Sequence, residues 1–155
     1  MLAQQHLEIA VDTGDASGRL RQTGVLESAL FHLYRAYLDM LRELATNYQL
    51  AKPELVSSAS DLDAAMRAVG KTSAEVEELL NLQQRGFIAE ILSCWRHLFQ
   101  GPSVEALAEE KKSRPDGLIS ARSVQNWELD RERLQGWLER LREISDRHRD
   151  IMVEY

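Results

Sequence analysis

The chain carries a single cysteine, Cys94, in 155 residues. An intramolecular disulfide is therefore excluded, which fits a reducing compartment. No apolar run approaches the roughly 20 residues needed to span a bilayer. The opening Met1-Leu2-Ala3-Gln4-Gln5-His6 lacks the basic start and long apolar stretch of a signal peptide. These absences predict a soluble cytoplasmic protein with no membrane association. Positive charge is also in deficit: 19 basic residues face 25 acidic ones, for a net charge of −6. Phosphate binding rests on positive charge, so nucleic acid is disfavoured as a general partner, although a local basic stripe stays open. No segment alternates apolar and polar residues between turn signals, so strands are not expected. Proline and glycine are sparse, three and eight residues, and most of them punctuate.

What is present is helical periodicity. Residues 1–12 form a candidate short helix with Leu2, His6 and Ile9 on one side, closed by the turn-rich 12–18 stretch. A long helix is predicted over about 19–50, with the stripe Leu26, Leu30, Leu33, Tyr37, Leu41, Leu44, Tyr48 and a second apolar flank of Phe31, Tyr34 and Leu38. That arc is wider than one neighbour covers, so the helix should be central and packed against at least two others. Pro53 ends the run. A short helix over 60–69 has Ser60 as its cap and Gly70 just past its end. Thr72 and Glu75 read as a capping box opening a helix that runs to Gly101-Pro102, with Gly86 marking a bend or break inside it. Residues 101–126 are the irregular part. Asn126 or Asp130 caps a final helix that reaches the C-terminus. The expected architecture is one all-α domain over 1–155, an up-and-down bundle of four main helices plus a short extra helix.

The motifs of common chemistries are missing. A ferritin-like di-metal site needs Glu-x-x-His, which sets two ligands on successive turns facing one ion, and no histidine here has a glutamate three residues before it. Cys94-Trp95-Arg96-His97 lacks the second cysteine of a haem-attachment box. Glu90, Cys94 and His97 fall on successive turns, but that face reads as a solvated surface with a half-buried thiol. Neither a glycine-rich phosphate loop nor G-x-S-x-G occurs, and nucleophilic catalysis has no support. No cofactor and no metal are expected.

The final helix carries the seam Leu134, Trp137, Leu141, Ile144, His148, Ile151, Tyr155, spaced by threes and fours on one face. His148 is the one polar member. Arg133, Arg140 and Arg147 line one flank and Arg142 and Arg149 the other. Acidic neighbours lie among them, and arginine stems cover apolar seams while their charges stay wet, so the ladder reads as a solvated face. Trp95 and Trp137 are core candidates. His148 reads first as a buried, hydrogen-bonded histidine that fixes helix register. The alternative is chemical. Arg142-x5-His148 resembles the motif of the HEPN ribonucleases, an all-α family. That resemblance implies action on an RNA phosphodiester by the arginine and histidine at a dimer interface. Glu143 departs from the small polar or basic residue preferred after the arginine.

Two stretches carry a second resemblance, Ala29-Leu30-Phe31-His32-Leu33-Tyr34-Arg35-Ala36-Tyr37-Leu38 and Arg147-His148-Arg149-Asp150-Ile151-Met152. Together with the order of helices and loops, they resemble a family of short uncharacterised bacterial proteins of pseudomonads and related proteobacteria. The family has no established activity, so it implies a bacterial cytoplasmic helical protein and lends no functional residues. The sequence thus predicts a non-enzymatic protein-interaction or structural module. Phe31, Tyr34 and Leu38 are the candidate partner surface, with homodimerisation through that flank as one form. Catalysis is assigned to no residue, and only the HEPN-like alternative uses Arg142 and His148.

Overall fold

The computed structural model describes residues 16–100 and 129–153. The expectations for residues 1–12, His6, the 101–126 stretch, Asn126 and Tyr155 lie outside the described residues. The described residues are all-α. Helix α1 is Ala16–Asn47, and a 3-10 turn at Pro53–Leu55 leads to α2, Ala59–Ala68. Helices α3, Ala74–Arg85, and α4, Phe87–Trp95, follow. A π turn at Arg96–Gln100 extends α4, and α5 is Arg131–Val153.

Helix α1 is central, as its wide apolar arc requires. It packs on α2, α4 and α5, while α2 packs on α3, α3 on α4, and α4 on α5. Leu30, Leu33, Tyr37, Leu41 and Leu44 of its stripe are essentially fully buried. Leu62 and Met66 of α2, Leu79 of α3, Ile88 and Ile91 of α4, and Leu134 and Trp137 of α5 meet them in one core. Each fully buried aliphatic side chain contributes about 1.5–3 kcal/mol relative to exposure.

The ends of the helices correct several expected caps. The cap of α2 is Ser58, whose side chain accepts from Asp61 N, rather than Ser60. Helix α3 is capped by Ser73, which accepts from Val76 N, rather than by Thr72. In both cases the residue with extended backbone just before the first helical turn meets the orphan N–H groups. Asp130 Oδ1 accepts from Arg133 N at 2.7 Å, so Asp130 caps α5. Helix α1 stops at Asn47, before Pro53 acts. Leu50 N donates to Ala45 O and Gln49 N to Thr46 O, with Gln49 left-handed at φ 55°. That is a Schellman closure without glycine. Lys71 Nζ, from the α2–α3 turn, donates to the Tyr48 carbonyl at 2.7 Å. The break at Gly86 is real, and it separates α3 from α4.

Candidate functional site

The seam of α5 is built as its spacing dictates. Leu134, Trp137, Leu141, Ile144 and His148 are all buried, His148 at 2% exposure, whereas Ile151 is 37% exposed. His148 faces α3, where its Nε2 lies 3.2 Å from Glu78 Oε2. A carboxylate only accepts, so Nε2 carries the proton. Nδ1 is buried and has no hydrogen-bond partner among the described residues. Arg147 donates to the other oxygen of Glu78 at 2.5 Å. Burial pushes the Glu78 carboxyl up, but hydrogen bonds from Arg147 and His148, with the Arg147 charge, outweigh it and hold the group below the usual carboxylate range. Glu75, one turn earlier, is also held low, first by the Ser73 hydroxyl and in smaller part by His148.

Arg142 has other surroundings. It lies about 120° from His148 around the helix at 3.6 residues per turn. It is exposed and borders a groove of about 320 Å³ between α1 and α5, with Asp39, Met40, Glu43, Leu141 and Arg149. Arg149 and Glu43 join the two walls with parallel bonds of 2.8 Å. That pairing holds Glu43 below its ordinary value. The structure therefore does not bring Arg142 and His148 to one cleft: the arginine faces the α1 groove, and the histidine is sealed against α3.

The arginine ladder is occupied by the fold. Arg133 bonds Glu90 of α4 at 3.0 Å and lies 4.9 Å from the Trp137 ring centre. Arg140 sits over the Phe87 ring at 5.9 Å. Arg147 and Arg149 hold α3 and α1. Arg133, Arg147 and Arg149 thus act as clamps from α5 to neighbouring helices. Among the described residues no three of His, Cys, Asp and Glu are grouped to hold a metal ion. Cys94 is buried, and burial pushes its thiol up, which makes it a poor nucleophile.

A different feature emerges on the α1–α4 side. Trp95 stacks on Tyr34 at 4.1 Å between ring centres and on Phe99 at 4.3 Å, with Phe31 at 5.8 Å. Phe31 is 45% and Phe99 44% exposed, while Tyr34 and Trp95 are half-buried. Two of the three residues expected to form a partner surface, Phe31 and Tyr34, are in this patch. Leu38 is buried in the core and does not join it. Trp95, expected in the core, is the centre of the patch instead. Phe99 lies in the π turn that follows Trp95, and such turns concentrate at functional positions. The sequence marks a bend or break at Gly86 but gives no signal for that change of pitch. The adjacency of Trp95 and Phe99 at i, i+4 was the available clue.

A family model described as a family of unknown function matches residues 2–155. No curated protein and no solved structure matches the chain. Among the described residues no helix is long and apolar enough to cross a membrane.

Proposed function

The chain belongs to that family of unknown function, DUF6586, and from this premise we propose that it is a non-enzymatic protein-interaction module whose docking surface is the patch of Phe31, Tyr34, Trp95 and Phe99. The observation that carries this reading is the half-open aromatic stack, with two phenylalanines nearly half exposed on a tryptophan already fixed by Tyr34. Aromatic side chains present large, rigid area at low entropic cost and dominate interface energetics. Single exposed apolar residues are ordinary on a surface, whereas here four aromatic rings are contiguous. Arg133, Arg147 and Arg149 are paired with carboxylates of other helices, and the buried histidine has no open approach, so this chemistry also favours binding over turnover.

The resemblance of residues 29–38 and 147–152 to pseudomonad-type proteins supports a bacterial source, and the lone cysteine supports a reducing, cytoplasmic setting. The test is affinity capture from extracts of the source organism with the native protein and with Phe31→Ser/Phe99→Ser, after matched circular dichroism and melting curves. A partner retained by the native chain and lost by the variant is expected. Identical captures by both would remove the patch as the docking surface. Sedimentation velocity over a hundredfold concentration range measures self-association in the same samples.

A further inference from the structure

Resting on that reading, we propose that the aromatic patch binds a short amphipathic segment of another protein, carrying two apolar anchors three or four residues apart and an acidic residue beside them. Size argues against a second copy as the occupant. A fully buried aromatic side chain hides roughly 150–250 Å², and less than half of Phe31 and of Phe99 is open. The two together therefore offer on the order of 200 Å², far below the roughly 800 Å² per partner of a stable interface. That area suits the anchors of one helical or extended segment. Two open rings border the indole, Phe99 at 4.3 Å and Phe31 at 5.8 Å, so the patch offers two neighbouring places for apolar anchors. Side chains one turn apart on a helix present themselves at about 5–6 Å.

Charge completes the description. Arg35 stands one turn beyond Phe31, and Arg96 stands between Trp95 and Phe99. Both are exposed. Arg35 pairs with Asp39 in a contact more than half exposed on each side, and Arg96 Nε rests on the Leu92 carbonyl. Such contacts exchange readily for an incoming carboxylate. The chain as a whole carries −6, so two copies repel while an acidic segment on this basic rim is steered locally.

The probe is a displayed library of random dodecapeptides selected on the immobilised full-length protein, with the winning sequence then synthesised and titrated. Selection of peptides with two apolar residues at i, i+3 or i, i+4 and a neighbouring Asp or Glu is expected. Phe31→Ser/Phe99→Ser should weaken the synthetic peptide at least tenfold. Arg35→Glu/Arg96→Glu keeps the aromatic stack and should shift selection away from acidic peptides. Failure to enrich any consensus overturns the proposal, whether a second copy or residues 101–128 of the same chain fill the patch. Equal binding to the native and serine variants also overturns it. A failed selection alongside a native partner lost from the Phe31→Ser/Phe99→Ser capture sinks the peptide but keeps the interaction surface. Failure of both experiments sinks both.

Discussion

The Tyr37 hydroxyl donates to Gln83 Oε1 at 2.8 Å, although the two residues belong to α1 and α3. The same amide oxygen accepts from Ala59 N at 2.8 Å, and Ala59 N also lies 3.2 Å from the Tyr37 oxygen. Gln83 Nε2 in turn donates to Ser60 Oγ. One orphan N–H at the start of α2 is thereby satisfied by side chains from two other helices. This network fixes the register of three elements at once, in a place where an unmet polar group costs about 1–3 kcal/mol.

Tyr37→Phe should therefore destabilise by about 1–2 kcal/mol. Gln83→Leu should cost more, because it strands the tyrosine hydroxyl. The double variant should fall short of the sum, with a coupling of about 0.5–3 kcal/mol. Urea midpoints at constant slope measure all three. Burial pushes the Tyr37 hydroxyl up to about 12 from 10.0. The folded state thus holds a proton that the unfolded chain releases near pH 10. Stability is retained below pH 10 and lost as pH rises from 10 towards 12, by at most about 2–3 kcal/mol. Tyr37→Phe should flatten that alkaline slope, and a persistent slope would place its origin elsewhere.

His148 tests the opposite economy. Glu78, its partner, is 39% exposed at the side chain and keeps Arg147 and water if the histidine is removed. The ring leaves one nitrogen unmet in the core among the described residues. Replacing a buried polar group by an apolar one of similar shape is near neutral or stabilising. His148→Leu should hold thermal stability within about 1 kcal/mol or raise it, whereas His148→Ala should lose about 2–4 kcal/mol to the cavity. A leucine variant as damaged as the alanine variant would show that the Nε2–Glu78 bond is indispensable.

How the sequence disclosed these features follows from what each depends on. The α1 stripe, the α5 seam and the break at Gly86 are periodic or local, so spacing and one residue type reveal them. His148 stood out for the same reason, as a polar residue in an apolar register. Its counterpart Glu78 lies 70 positions earlier and has no local mark. The Tyr37–Gln83–Ala59 network and the clamps from α5 likewise join distant segments. The aromatic patch was half legible: Phe31 and Tyr34 share one helix, but Trp95 and Phe99 arrive from another through a change of helical pitch. Leu38 went inward because α1 is covered on more than one side, which its second flank announced without saying which residue would be sealed.

The acid limb should be governed by carboxylates that gain partners on folding. Glu43 and Glu78 both sit below their ordinary value. The unfolded chain therefore binds more protons in acid, and the stabilisation present above about pH 4.5 fades as pH falls through the folded values. Both side chains are more than a third exposed, so solvent screening keeps each contribution to about 0.2–1 kcal/mol. Glu43→Gln should reduce the acid slope and the salt sensitivity of the urea midpoint together. Arg149→Gln should reproduce most of that effect, because its guanidinium is the chief cause of the Glu43 shift. An unchanged acid slope in both would remove this pair from the explanation.

Two helix boundaries predict substitutions of opposite sign. Gln49 closes α1 at φ 55°, a left-handed conformation that costs a side-chain-bearing residue about 1 kcal/mol and glycine nearly nothing. Its side chain is exposed, so little packing is lost on removal, and Gln49→Gly should stabilise by about 0.5–1 kcal/mol. Gly86 has φ −112° and ψ −167°, which any residue adopts, and alanine would raise local helix propensity. Space decides against it: a Cβ there would stand 2.7 Å from Leu82 Cδ2 and 2.9 Å from Leu82 Cα. The Leu82 side chain can yield, but its backbone belongs to the last turn of α3. Gly86→Ala should therefore destabilise by about 1–3 kcal/mol as α3 and α4 are pushed apart. Melting curves of the two single variants and of the double variant check both signs. A stabilised Gly86→Ala protein would mean that the break relaxes into a continuous helix.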